Sequence, residues 1–460
     1  MTSLIFTFIF YTVLYNKLIN DNDEGNINSI LFEKREILNI TPISTLSRQI
    51  SEINLNNSDN DDDEGDIVLP HTKRRSSVLR RMSVGYQIDD NQILKTKLDI
   101  FTDTNDELYK RSNSNTPNCK INDFEKLKVL GQGAYGKVIL VKNKYNGKLF
   151  AQKELKKASI IINNKNIERT LSERTILSKI TSHQNIVKLF YALHDNSKLY
   201  LLMEFIPGGE LFKYLIKENF LNEKSSCFYI IQMSMALNFL HKFGIVYRDL
   251  KPENCMLDKD GYLILTDFGL AKKSTDDQDN NNWCNSIIGT PEYAAPEVLK
   301  GENYGSLADW WSLGCVLFDL LTGNPPFTGN NHQKIINKVL KEKPKYPFHL
   351  MTSSKELLNK LLNKNINKRF NVDDNWISYQ KFSFFRHYKF KDIENRVVEP
   401  PIKPIINNLE KAENFDIEFT NMKISDLNGD LNVDNNLNDN DCFNGFSYTA
   451  SNSFMDNYLK

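Results

Sequence analysis

Three polar side chains, Asp249, Lys251 and Asn254, fall within the run "YRDLKPEN", and Asp267 follows in "TDFG". Together they offer a carboxylate to take a proton, an ammonium to neutralise an anion and two oxygen donors for a hard cation. Phosphoryl transfer requires such a set, because its transition state is stabilised chiefly by positioning and charge. Upstream, "GQGAYGKV" places Gly131, Gly133 and Gly136 among Gln132, Ala134 and Tyr135. Glycines let the main chain approach phosphate oxygens closely and donate N–H groups to them. Alone, the pattern also fits a plain turn or a dinucleotide fold. A dinucleotide site needs a helix directly after the glycines, whereas "KVILVKN" reads as strand. Lys153 in "FAQKEL" lies on the next strand, where its ammonium could reach the α- and β-phosphates. Glu173 in "LSERTIL" is placed to pair with it from the following helix. Taken singly, Lys153 reads equally as a solvated strand lysine and Asp267 as a turn aspartate; the ordered set does not.

These groups need a scaffold, and its elements are visible from Phe124 to about Phe390. "FEKLKVLG", "KVILVKN" and "GKLFAQKEL" are short strand-like runs, with Asn146-Gly147 marking a hairpin turn,. "NIERTLSERTILSKI" has helical spacing, with Ile167, Leu171 and Ile180 broadly on one face,. "SSCFYIIQMSMALNFLHKFG" is a long apolar helix stopped by Gly244,. A β-rich part followed by a helix-rich part predicts two lobes with a cleft between them.

The totals narrow the class. Lys+Arg and Asp+Glu both number 58, for zero formal net charge, which argues against a generic nucleic-acid binder. The six cysteines are scattered without a Cys-x-x-Cys pair, so neither a zinc site nor a disulfide framework is expected, and a reducing, cytoplasmic setting is. Residues 1–120 are Asn/Asp/Ser-rich and are expected to be mostly disordered. The apolar run from about Leu4 to Tyr15 is too short for an ordinary spanning helix of ~20 residues. It has neither the basic flank nor the cleavage signal of a secretory leader. A weak membrane anchor, a segment packed on the folded domain and a mis-assigned start remain open. Beyond 390 the chain turns Pro-rich, then Asn/Asp-rich, and ends on the aromatic cluster "CFNGFSYTASNSF".

With Lys153, Glu173, "YRDLKPEN", "TDFG" and "AAPE" (Ala294–Glu297) in order, the chain resembles the protein kinases over about 124–390,. The resemblance implies an α+β, bilobal protein kinase fold: a small β-rich lobe with one key helix, a larger helical lobe, and the domain bounded at 121–390. It implies ATP and magnesium as cofactors. Asp249 would orient the substrate hydroxyl and take its proton, Asn254 and Asp267 would hold magnesium, and Lys251 would neutralise the transferred phosphoryl. Lys153, paired with Glu173, would set the nucleotide beneath the glycine loop. Val138, Ala151 and Met256 would sandwich adenine, with Met203 as gatekeeper before the hinge "EFIPGGE", which brings Glu204 and Glu210; Thr266 completes the nucleotide set. Phe268, Tyr247, Leu177 and Leu189 look like the apolar stack joining the lobes, and Tyr247 stands where the family usually has histidine. Asp309 is expected to tie the catalytic loop, and a Glu297–Arg369 pair to anchor the peptide-binding loop. "DLKPEN" and "GTPEY" are of the serine/threonine type.

Tyr247, "GTPEYAAPE" and the tail look like the AGC group, most like its ribosomal-protein kinase and protein kinase B branch. The tail, 391–460, carries two motifs of the group: "NFDIEFT" (Asn414–Thr420), on the nucleotide side, and "FNGFSY" (Phe443–Tyr448), the terminal hydrophobic motif. Phe443 and Phe446 would fill an apolar pocket beside the Glu173 helix, where a phosphate on Ser447 adds charge-assisted hydrogen bonds. Ser286 aligns with the group's activation-loop phosphosite, with Arg248, Lys272 and Arg169 as its cations. The tail's middle phosphosite departs from the pattern, since no proline follows Ser425. Glu210, Glu253, Glu292 and Asp319 match the positions where basophilic relatives hold substrate arginines. Protein substrates with Arg before the target Ser/Thr, an upstream activating kinase, growth/nutrient or phosphoinositide-type signalling and a monomeric state are expected. Nucleic acid is not. A pseudokinase scaffold acting through its tails is the competing reading. "KRRSSVLRRMSVGY" presents Arg-Arg-x-Ser-Val twice, making Ser77 and Ser83 candidate phosphosites beside the bland alternative of a solvated basic run,.

Overall fold

Strand alternation and one hairpin turn build the first lobe. β1 (Phe124–Gln132), β2 (Gly136–Asn143) and β3 (Leu149–Lys156) form an antiparallel meander. Val129, Ile139, Val141 and Phe150 are buried on one face and Leu130 and Leu140 on the other, so both faces of the pleated sheet are covered. The computed structural model describes residues 119–133, 136–273, 284, 289–424 and 441–458. Ser77, Ser83, Ala134, Tyr135, Ser286, Ser425 and the apolar start lie outside the described residues.

α1 (Lys157–Ile161) and α2 (Asn164–Lys179) follow β3. Asn163 caps α2 by accepting from the Lys165 amide at 2.9 Å,. The expected apolar face of α2, Ile167, Leu171 and Ile180, packs on the core, with polar positions buried beside it. Thr170, Glu173, Ile176 and Leu177 are buried, Ile167 and Leu171 only half so, and Ile180 is the residue beyond the last turn. The polar positions have a cause: this helix turns the Glu173 carboxylate toward the cleft, so its inward face cannot be wholly apolar. β4 (Leu189–His194) and β5 (Lys198–Glu204) complete the strands of this lobe.

The second lobe is helical. α3 (Leu211–Glu218) precedes α4 (Glu223–Lys242), whose residues from Ser226 to Asn238 are all buried. The expected stop is present: Gly244 takes φ +67° just past α4, a conformation that costs a side-chain-bearing residue about 1 kcal/mol or more. Two small antiparallel ribbons come next, β6 (Ile245–Val246) with β9 (Lys272–Lys273), and β7 (Cys255–Leu257) with β8 (Leu263–Leu265). After α5 (Pro296–Leu299), the buried α6 (Leu307–Thr322) packs between α4 and α8 (Thr352–Leu361). α7 (His332–Lys341), α9 (Trp376–Tyr379) and α10 (Phe390–Glu394) complete the lobe.

The chain then runs back over both lobes. Arg396 pairs with Asp258 at 2.7 Å, the Tyr262 hydroxyl donates to the Val398 carbonyl at 2.6 Å, and α11 (Ile417–Thr420) packs on β1. The last described residues form β10 (Tyr448–Thr449) and α12 (Asn452–Tyr458). β10 pairs antiparallel with β4, so the sheet order is β1-β2-β3-β5-β4-β10. One apolar core runs from the inner face of this sheet through Phe268 and Tyr247 into α4 and α6. This is the expected two-lobed α+β architecture. Among the described residues no helix is long and apolar enough to cross a membrane.

Candidate active site

Three charged side chains from three elements meet in the cleft. Lys153 lies mid-strand in β3, opposite Leu201 of β5, which aims its amino group inward. Its Nζ donates to Glu173 Oε1 of α2 at 2.6 Å and to Asp267 Oδ1 at 3.1 Å. Burial alone would lower the Lys153 pKa; the two carboxylates outweigh it and raise the value,. The Lys153 ammonium holds the Asp267 carboxyl down to about 2. Burial pushes Glu173 up against the pull of Lys153. Asp267 is itself held at φ +56°, a left-handed conformation that non-glycine residues rarely adopt and that concentrates at functional sites.

The loop carrying Asp249 is fixed from behind. Asp309, with no exposed surface, accepts the backbone N–H groups of Tyr247 and Arg248, both at 2.8 Å. Arg248 takes φ +69°, which turns the chain so that Asp249 faces the cleft. The Asp249 carboxylate accepts from Lys251 Nζ at 2.8 Å and from Asn254 Nδ2 at 2.9 Å. Burial raises the Asp249 pKa while Lys251 opposes, which moves the group in the direction a general base needs. Lys251 also reaches Thr290 Oγ1 at 3.1 Å, tying the loop to the segment before α5. The Tyr247 hydroxyl donates to the Thr266 carbonyl, and the Thr266 amide donates to the Asn254 carbonyl at 2.9 Å. The rings of Tyr247 and Phe268 meet edge-on at 5.1 Å, and Leu177 and Leu189 are buried in the same core.

The slot between the lobes is apolar. Val138 on β2 and Ala151 on β3 share a cluster with Leu130, Leu140 and Phe205. Met203 is the penultimate residue of β5 and Met256 lies on β7, both half-buried against the main core. Phe415 of the tail stacks on Phe205 at 5.8 Å, and Asn414 donates to the Pro207 carbonyl at 3.1 Å. "NFDIEFT" therefore lies against the hinge. In the glycine turn, Gly133 N–H donates to the Gly136 carbonyl at 2.8 Å, while Gly131 and Gln132 register with Val138 and Lys137. A Cβ on Gly136 would stand 1.7 Å from the Glu154 carbonyl oxygen, so no side chain fits there.

The oxygen donors suit a small divalent cation. Asn254 spends its amide nitrogen on the Asp249 carbonyl and carboxylate, at 2.8 and 2.9 Å, leaving Oδ1 as the free donor. Asp267 is ionised at neutral pH by its low pKa. One carboxylate and one amide oxygen form a sparse set, as magnesium prefers when phosphates supply its other ligands. No group of three or more His, Cys, Asp or Glu able to hold a metal occurs among the described residues.

The acids expected in the peptide groove are distributed unevenly. Glu210 starts α3 and bridges to Met256, Glu253 is buried in the turn Pro252–Asn254, and Glu292 is half-buried. Asp319 departs from the expectation. It has no exposed surface and accepts the Tyr293 hydroxyl at 2.7 Å, because α6 is enclosed and a buried carboxylate must find an internal donor. Of the cations expected for Ser286, Arg248 gives Nε to the Leu270 carbonyl at 2.6 Å, Lys272 lies exposed on β9, and Arg169 is half-buried on α2. Glu297 receives Arg369 at 2.5 and 2.9 Å in a two-point pair. Phe443 and Phe446 are buried beside α2, and Ser447 is exposed.

Two contributors escaped the reading from sequence. His241 at the end of α4 bridges Asp309 and Asp373, each at 2.8 Å, and so backs the carboxylate that holds the loop. Thr290, within "GTPEY", is the second: its hydroxyl accepts from Lys251. Neither has a local signature, since their partners lie 39 to 132 residues away.

A glycine-covered cleft with a lysine–carboxylate pair above and an Asp/Lys/Asn loop below defines a nucleotide-dependent phosphotransferase. The family model described as protein kinase domain matches residues 124–378. Serine/threonine-protein kinase YPK3 of Saccharomyces cerevisiae is 44% identical, covering 74% of this chain and 76% of its own length. Ribosomal protein S6 kinase beta of Caenorhabditis elegans is 40% identical over 73% of this chain, and ribosomal protein S6 kinase alpha-2 of Mus musculus 39% over 71%. The match spans only 61% and 44% of those two relatives. The chain belongs to the protein kinase family, as a serine/threonine kinase of the AGC group.

Proposed function

We propose that this kinase transfers the γ-phosphoryl of ATP to Ser or Thr in proteins bearing Arg shortly before the target, and that phosphates on Ser286 and Ser447 switch it on. The observation that carries the reading is Asp249, held by Lys251 and Asn254 below a Lys153 ammonium already seated on Glu173. Asn254 and Asp267 would hold magnesium, which when bound would supply charge neutralisation for the phosphates. Lys153 draws on the α- and β-phosphates, and Glu173 keeps that ammonium pointed into the cleft. Asp249 accepts the hydroxyl proton of the substrate, and Lys251 balances charge on the moving phosphoryl. Glu210, Glu253 and Glu292 are the partners for arginine in this reading, because its planar fork suits carboxylates; Asp319, enclosed and bonded to Tyr293, is not among them.

The names of the relatives favour a ribosomal protein among the substrates; growth/nutrient-type signalling is the setting proposed with it. The upstream partner is a second kinase acting on Ser286. Ser77 and Ser83 fit the same arginine rule and are proposed targets of this kinase or a similar one. Transfer of radiolabelled phosphate from ATP to an Arg-x-Arg-x-x-Ser peptide tests the reading, with Asp249→Asn as control. The wild type should label the peptide and the variant should lose about 10²-fold or more; equal labelling by both would refute it.

A further inference from the structure

Beyond the hydrophobic motif, the chain folds into a second device that nothing in the kinase reading requires. β10 has only two residues, too few to hold a sheet edge unaided. α12 has seven, too few to persist unless something packs on it. Each is stabilised by the other's anchorage. Phe454 and Tyr458, four apart and so on one helical face, stack on each other at 5.0 Å. Phe454 lies 5.6 Å and Tyr458 6.3 Å from Phe190 of β4. The Tyr191 hydroxyl meets Met455 Sδ at 3.4 Å, and Ala450 N–H donates to the Phe190 carbonyl at 2.9 Å. Lys188, just before β4, places its ammonium 5.7 Å from the Tyr458 ring.

On the other side of β10, Arg174 donates Nε to the Phe446 carbonyl at 2.9 Å and Nη2 to the Ser447 carbonyl at 2.7 Å. Arg174 follows Glu173 directly on α2. These bonds go to main-chain oxygens, so they do not depend on what the Ser447 side chain carries. The motif is therefore pinned at both ends: by Phe443, Phe446 and Arg174 before β10, and by Phe454 and Tyr458 after it.

We propose that residues 450–458 form a clasp that keeps the motif docked on α2 and β4, with Phe454 and Tyr458 as positioning residues for the Lys153–Glu173 pair. The clasp lowers the dependence of activity on Ser447 phosphorylation, because docking has a second anchor. This inference rests on the kinase reading, since its consequence is expressed in phosphoryl transfer.

The test combines Phe454→Ala/Tyr458→Ala, the milder Phe454→Leu and full-length wild type, each with Ser447 intact and as Ser447→Ala. Hydrogen exchange at the β4 and α2 amides and the kcat and KM for ATP are read on every form. Ser447→Ala alone should lower kcat/KM by about tenfold, as loss of a switch requires, while β4 exchange stays close to that of the wild type because the clasp still holds. Adding the double substitution should cost at least about tenfold more and speed exchange at Tyr191 and Ala192, while β6–β9 in the other lobe stays protected. Phe454→Leu should restore most of both. Unchanged β4 exchange in the double variant overturns the clasp, as does equal loss with and without Ser447. Exchange does not need turnover, so a wild type that transfers no phosphate would sink the kinase reading while the exchange data still decided the clasp.

Discussion

Lys153 and Glu173 meet at 2.6 Å across the joint between β3 and α2, and Glu173 keeps only 3% of its surface exposed. A pair so withdrawn from water is worth little as net stability, but removing one partner strands the other. Its role is therefore positional, and the position of α2 becomes the variable that sets activity.

Glu173→Gln tests that statement. The amide keeps the shape and loses the charge, leaving Lys153 to fold toward Asp267. We expect kcat/KM for ATP to fall by roughly 10²-fold, in line with a loss of a few kcal/mol of positioning. The melting temperature should drop by only a few degrees. A change below threefold in steady-state kinetics would contradict it.

Substrate selection should follow Glu253. Glu253→Arg reverses the charge at the groove and should remove the preference for arginine before the target, seen by profiling wild type and variant on a peptide library. Because Glu253 is buried beside Asp249, basal rates on an arginine-free peptide serve as the folding control. Retained selectivity would break the assignment.

Ser286→Ala should lose most activity, on the order of 10²-fold, because the loop-ordering phosphate can no longer form on its cations. Mass spectrometry of the active wild-type protein should find phosphate at this residue. A fully active Ser286→Ala protein would remove the switch.

His241 makes stability depend on pH. Burial alone would lower its pKa, but Asp309 and Asp373 outweigh it and raise the value from 6.5 to about 9. A raised folded-state pKa contributes stability that is fully present below about pH 6.5 and is lost as pH rises through about 9. Urea unfolding should therefore weaken between pH 7 and 9.5, by on the order of 3 kcal/mol at most for this group. His241→Gln should be less stable at neutral pH and flatter across the window; identical slopes would exclude the bridge as the cause.

Arg369→Ala leaves Glu297 charged, buried and unmatched. The side chain also donates to the Leu307 and Asn363 carbonyls, each at 3.0 Å, and stacks over Trp311. A loss of about 3–5 kcal/mol in denaturant stability is expected, and Arg369→Lys should recover only part because it has no planar fork. A loss below 1 kcal/mol would make the pair incidental.

Much of this site could be read in the chain because phosphoryl transfer demands particular chemical types in order. The glycines, Lys153, the "DLKPEN" loop and Asp267 each announce themselves by type and spacing, and the strand-then-helix texture announces two lobes. Burial was harder to read. Apolar periodicity did place Ile167 and Leu171 of α2, and Ile180 just past it, against the core, but it gave no sign that Glu173 and Thr170 are buried among them. Asp319 looked like a groove acid, yet α6 is enclosed and the carboxylate turns to Tyr293.

What the amino-acid sequence determined by itself was the inventory: which groups exist, their order along the chain, and which local segments form strands, helices and turns. These follow from short-range preferences and from the chemistry of single side chains. Tertiary structure alone decided the meetings. Asp309 under the Tyr247 and Arg248 amides, His241 between two carboxylates, and Phe454 and Tyr458 against Phe190 all join residues far apart in the chain. No local pattern encodes such contacts, because each depends on which faces the packed elements present to one another.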